Sequence, residues 1–231
     1  MIWKDKASGG SLFKHLRQSS RKRKKRYGSG YNYRGHIKNR ISIDDRPPVV
    51  ETRERIGDWE IYTIIGKSHK GALVSIVERK SRFTLLSVVN RKDSELVGAC
   101  VKEQLLPFKD YVLTITGDNG KEFACHEQVM VDLNTTFYFA HPYSSYERGL
   151  NENTNGLIRQ YVPKGSEILH LRNDDMIKIM EKLNNRPRKC LGYRTPKDVF
   201  LSGIGFTSLY GEKIQDIYNF SERICTVALT N

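Results

Sequence analysis

The chain has 231 residues, with 39 Lys and Arg against 26 Asp and Glu and a formal net charge of +13. At 38% hydrophobic and 10% aromatic it can bury one sizeable core, so one domain with appendages is expected and wholesale disorder is not. No apolar run approaches the roughly 20 residues that cross a bilayer, and the opening MIWKDKASGG lacks a secretory signal's apolar segment, so a cytoplasmic protein is expected. Cys100, Cys125, Cys190 and Cys225 form no CxxC pair and have no His partner at zinc spacing, which argues against a structural zinc or a disulfide framework.

The charge is concentrated at the start. Residues 1–46 hold 14 Lys and Arg against 3 Asp and Glu, a net of +11, whereas residues 47–231 hold 25 against 23. The run Arg21-Lys22-Arg23-Lys24-Lys25-Arg26 repels itself and favours an extended chain. The Gly, Tyr and Arg stretch after it can stack on bases, so the arm reads as a nucleic-acid contact or, more plainly, as a solvated linker. Pro47-Pro48 marks a boundary. Ile56–Ile65 then reads as a strand, and Ala72–Glu78 and Phe83–Val89 as a hairpin across Arg79-Lys80-Ser81-Arg82. After Ser94 comes an amphipathic helix carrying Leu96, Val97, Cys100, Val101 and Leu105, stopped near Pro107. Val112–Thr116 is a short strand, Glu122–Leu133 a helix, Thr136–Ala140 a strand and Glu147–Tyr161 a helix. A last helix around Met176–Leu183 ends near Arg186-Pro187. A meander followed by βαβα units predicts an α/β fold: a mixed five-stranded sheet with helices on both faces.

Two carboxylates stand out. Asp118 lies just past the C-terminal end of a short apolar strand, where ligands gather in open α/β sheets, although Asp118-Asn119-Gly120 is also an ordinary turn sequence. Glu152, Asn155 and Arg159 fall at i, i+3 and i+7 of one helix and share a face. That face could bring a carboxylate to a metal and an amide and a guanidinium to a phosphate, or could simply be solvated. The neighbouring Asn151 and Asn153 are poor helix formers, which weakens the second reading.

The stretches 56–82 (IGDWEIYTIIGKSHKGALVSIVERKSR), 115–123 (ITGDNGKEF), 147–165 (ERGLNENTNGLIRQYVPKG) and 186–200 (RPRKCLGYRTPKDVF) resemble bacterial transposases of the insertion sequence 30 family. The resemblance covers most of residues 1–200 and implies an RNase H-like catalytic core of the DDE transposase and retroviral-integrase group. It implies DNA cleavage and strand transfer by three carboxylates holding two Mg²⁺ ions, with Mn²⁺ as a substitute. Its partners would be transposon ends and target DNA, in a homo-oligomer or beside an intact transposase, at the bacterial nucleoid. By motif, Asp118 is the second carboxylate and Glu152 the third, with 33 residues between them, the family's spacing. Asn155 and Arg159 follow as DNA-contacting residues, and Lys121 and Lys164 as phosphate contacts beside the arm's Arg21–Arg26.

The first carboxylate departs from the pattern. The family reads Trp-Glu-Gly-Asp where this chain reads Trp59-Glu60-Ile61-Tyr62, so Tyr62 holds the catalytic position. A phenol with pKa near 10 is a poor Mg²⁺ ligand at neutral pH. Glu60 and Asp58 share Tyr62's strand face and are the possible substitutes, set back by about 7 and 13 Å at about 3.3 Å per residue. Residues 1–46 are expected as a flexible nucleic-acid-binding arm, 47–200 as the catalytic core and 201–231 as a divergent tail. The whole is expected to be an N-terminally truncated transposase copy, either impaired in cleavage or a non-catalytic DNA-binding remnant that interferes with an intact enzyme.

Overall fold

The strand that organises the molecule is β2, Asp58–Ile65, in the computed structural model, which describes residues 2–12, 37–142, 144, 147 and 149–205. Its eight residues are rich in β-branched and aromatic side chains, and it has neighbours on both edges. On one edge it pairs antiparallel with β3, Ala72–Glu78, which pairs antiparallel with β4, Thr84–Val89. On the other it pairs in parallel with β5, Thr114–Gly117, which pairs in parallel with β6, Thr136–Phe139. The meander and the parallel continuation are as expected. The sheet nevertheless has six strands, because Ile41–Ser42 adds to β6 in parallel as an edge strand, β1. Two residues are too few to display an alternating pattern, so the sequence leaves them in the basic arm.

Two compact units divide the chain, residues 1–36 and 37–231. In the first, the helix α1, Ile2–Ala7, ends in a turn where Gly10 N donates to Asp5 O at 2.7 Å. The run Arg21–Arg26 and the tail beyond residue 205 lie outside the described residues. In the second unit, the four-residue helix α2, Val49–Thr52, precedes the sheet. The helix α3, Ser94–Leu105, starts one residue earlier than expected, because Asp93 supplies the cap, its side chain accepting from Leu96 N. The helix expected over Glu122–Leu133 is split: a 3₁₀ turn, Lys121–Phe123, buries Glu122, and α4 runs over His126–Leu133.

α5, Gly149–Ile158, packs on β2 and β3, and α6, Asn173–Asn184, on β4. α6 also protects the exposed edge of β4. Asn184 accepts from Thr84 N and donates to Thr84 O, each at 2.8 Å, replacing the partners a further strand would supply. α7, Pro196–Gly203, docks through the fully buried Phe200, which stacks on Phe83 at 4.5 Å and meets Trp59 edge-on at 5.6 Å.

Candidate active site

Register places the site. β2 and β5 run in parallel with Glu60 beside Thr116, the last pair of their ladder, and Tyr62 and Asp118 each lie two residues further along the chain. Gly117, just before Asp118, leaves room for the ring of Phe137 on β6: a Cβ there would lie 2.9 Å from Phe137 Cζ. Asp118 is half-buried, and its Oδ1 accepts from Gly120 N at 2.9 Å, an Asx-type turn that holds the carboxylate at the strand end. Tyr62 and Asp118 line one open cleft of about 450 Å³, shared with Arg159 and Lys164. Lys67, His69 and Lys92, which sequence reasoning missed, complete its basic wall.

Those basic groups differ in availability. Lys92 Nζ is tied at 2.7 Å to Glu122, whose buried carboxylate also accepts from Thr63 Oγ1 at 2.6 Å. Lys67 pairs with Glu167 at 2.9 Å on the surface. Arg159 Nη1 donates to Val162 O and Pro163 O, which curls the end of α5 toward the cleft, and burial lowers its pKa below the usual guanidinium value. Lys164 is exposed. The cleft therefore presents cations around one carboxylate and one phenol.

The remaining candidates sit elsewhere. Glu152 is exposed on α5 and is not among the residues lining the cleft, although Asn155, one turn on, accepts from Ser75 Oγ at 3.3 Å. Ser75 is the cross-strand partner of Tyr62, so α5 does lie over this part of the sheet. Lys121 is exposed on its 3₁₀ turn, also outside the cleft lining. Glu60 and Asp58 are buried in a charge network. Arg79 Nη1 binds Glu60 Oε1 at 2.6 Å with both side chains 1% exposed, and Arg79 Nη2 reaches Glu51 at 3.1 Å. Arg55 grips both oxygens of Asp58 at 2.9 Å, and Thr114 Oγ1 donates to Asp58 Oδ1 at 2.7 Å. Arg46 bonds Glu51 and Thr116 Oγ1, and burial, followed by its neighbour Arg79, brings its pKa down to about 10.

A pair of divalent ions does not fit this set. Among the described residues no three His, Cys, Asp or Glu side chains come together to hold a metal. Beside Asp118 the cleft presents the phenol of Tyr62, and hard cations such as Mg²⁺ take carboxylate, carbonyl and water oxygens.

The order β1-β6-β5-β2-β3-β4, with a meander continued by parallel strands, is the RNase H-like arrangement. A chain in the structure of the simian T-cell lymphotropic virus intasome in complex with PP2A regulatory subunit B56 gamma shares the fold. Its TM-score is 0.53 at 18% identity, over 63% of this chain and 54% of that one. The transposase for insertion sequence element IS4351 of Bacteroides fragilis is 49% identical over 199 residues, 86% of this chain and 61% of that protein. The transposase for IS1086 of Cupriavidus metallidurans is 39% identical, over 80% of this chain and 54% of its own length. Transposase InsI for IS30A of Escherichia coli is 34% identical, over 84% of this chain and 51% of its own length. No family model matches. The chain is similar to transposases of bacterial insertion sequence elements, IS30 among them, and it spans between half and two thirds of the length of these relatives. That similarity suggests dependence on a divalent metal. Among the described residues no helix is long and apolar enough to cross a membrane.

Proposed function

We propose that this chain is a DDE-type transposase core that binds DNA in the Tyr62–Asp118 cleft and is impaired in cutting it. One observation supports the reading: Tyr62 and Asp118 line the same cleft, together with Lys67, His69, Lys92, Arg159 and Lys164. In this reading Asp118 and Glu152 are the second and third carboxylates of the ancestral reaction, and the ion they served was Mg²⁺, or Mn²⁺ in its place. With Tyr62 in the first position the set is incomplete, and Glu60 and Asp58 do not repair it because each is already paired with an arginine. What the cleft retains is the means to hold a phosphodiester, through Arg159 and Lys164, and the net +11 of residues 1–46 adds to the chain's attraction for a polyanion.

Tyr62 favours the version of this reading in which the chain occupies DNA, or joins the oligomer of an intact transposase, without cleaving. Relatives that are transposases make DNA the expected partner, both as element ends and as target. Fluorescence anisotropy of the full chain with labelled duplex tests it. Binding should weaken steeply with salt, and Arg159→Gln with Lys164→Gln should lower the slope of log affinity against log salt by about one per phosphate contact removed. Affinity unmoved by both changes would remove the cleft from the DNA path.

A further inference from the structure

A second recess runs along α5. Arg53, Arg82 and Arg188 converge on a pocket of about 250 Å³ that shares no lining residue with the cleft; Gly149 and Asn153 form part of its wall and Cys190 stands beside them. The three arginines come from three parts of the chain: Arg53 follows α2, Arg82 lies in the β3–β4 turn, and Arg188 follows α6. Both Arg53 and Arg82 have positive φ, at 57° and 66°.

Arg53 is exposed and Arg82 and Arg188 are half-buried, and their partners set them apart from three other arginines. Arg46, Arg55 and Arg79 each bind a carboxylate. Among the described residues Arg53, Arg82 and Arg188 bind none. Arg188 donates Nη2 to Leu183 O at 3.1 Å, but its Nε, and Nη1 of Arg82, are buried with no hydrogen-bond partner among the described residues. Burial, and then the nearby Arg82, pulls the Arg53 pKa below its usual value, while burial and then Arg186 do the same to Arg188. All three stay charged at neutral pH. Clustered like charges with unmet buried N–H groups form an arrangement that an anion completes. The first turn of the ten-residue helix α5, at Gly149, adds its own positive end. Three guanidinium groups approaching from separate segments suit a tetrahedral phosphate better than a planar carboxylate, which one fork already satisfies.

The geometry points to a phosphate-binding pocket at the start of α5, with Arg53, Arg82 and Arg188 holding a phosphate of a nucleic-acid strand. That the phosphate comes from DNA rests on the proposed function; the anion chemistry does not. The pocket lining runs along α5 from Gly149 to Leu157 and the cleft takes Arg159 just beyond it, so a strand bound at both would fix α5 along its length.

Cys190 gives a local readout, because it is exposed beside the arginines. In the full chain, its alkylation by a maleimide would be followed by peptide mass spectrometry without ligand, with a short duplex and with inorganic pyrophosphate. Duplex at ten times its Kd should slow Cys190 about tenfold and leave Cys125 unchanged. Arg82→Gln and Arg53→Gln should abolish the protection without lowering the melting temperature, while Lys178→Gln on the exposed face of α6 should preserve it. Two different changes cover the case in which one of them fails to fold. Protection by pyrophosphate and not by duplex keeps the pocket and assigns it to a free phosphate compound. Duplex that binds by anisotropy yet leaves Cys190 equally reactive, with pyrophosphate also without effect, overturns the pocket and leaves the proposed function standing. Pyrophosphate protection in a chain that binds no duplex does the reverse.

Discussion

The two halves of β2 carry side chains on the same face to different ends. At the start of the strand, Asp58 and Glu60 are almost wholly buried, Asp58 held by Arg55 and Thr114 and Glu60 by Arg79. Two residues on, Tyr62 opens into a cleft beside Asp118. The lesson is that a carboxylate on the right face of the right strand is not thereby available to a ligand. Glu60 would have to give up Arg79, leaving a buried guanidinium beside Arg46, before it could reach forward. The buried half is a structural device, and the open half is where chemistry or binding can occur.

The largest expected effect breaks the structural half. Arg79→Ala removes one partner of a buried ion pair with Glu60 and should cost about 3–5 kcal/mol, read as a lowered urea midpoint. A loss under about 1 kcal/mol would mean that water reaches this end of β2, and that Glu60 is freer than its burial indicates. Thr114→Val, nearly isosteric, removes the hydroxyl that donates to Asp58 and should cost about 1.5–3 kcal/mol. The smallest effect is at the rim. His141 Nδ1 meets Glu147 at 2.8 Å and Nε2 meets Asp44 at 3.0 Å, and the bond to Glu147, then the nearby Asp44 charge, raises the His141 pKa above 6.5. A raised histidine pKa stabilises fully below the unfolded value and is lost as pH rises through the folded one. Amide exchange over residues 138–142, corrected for intrinsic rate, should therefore be slow below pH 6.5 and speed up above it. His141→Gln should flatten that dependence.

Much of the fold is legible because its long elements carry their own patterns. β2, β3 and β4 are β-branched runs of eight, seven and six residues, and α6 shows its buried face through Met176, Ile179, Met180 and Leu183. β1 is not legible, since it exists only because β6 offers it an edge. Arg79 misleads in a different way. In a run of four polar residues it reads as part of an exposed turn, yet it is among the largest fully buried side chains. Of the site, Asp118, Arg159 and Lys164 are found from motif and helical spacing. Lys67, His69 and Lys92 are not, because they come from loops that meet only in three dimensions. The arginine pocket had two signals in plain sight, the hairpin turn and Arg186-Pro187-Arg188, and neither says that the two converge.

The central claim is that Tyr62 breaks the site and that no neighbour repairs it. The most direct test is strand nicking and transfer on pre-nicked element ends with Mg²⁺ or Mn²⁺, so that end recognition is not limiting. The unmodified chain should give none above background. Tyr62→Asp, with Ile61→Gly to restore the family strand, should gain activity that disappears again with Asp118→Ala or Glu152→Ala. Robust nicking by the unmodified chain, abolished by Glu60→Gln or Asp58→Asn, would contradict the account.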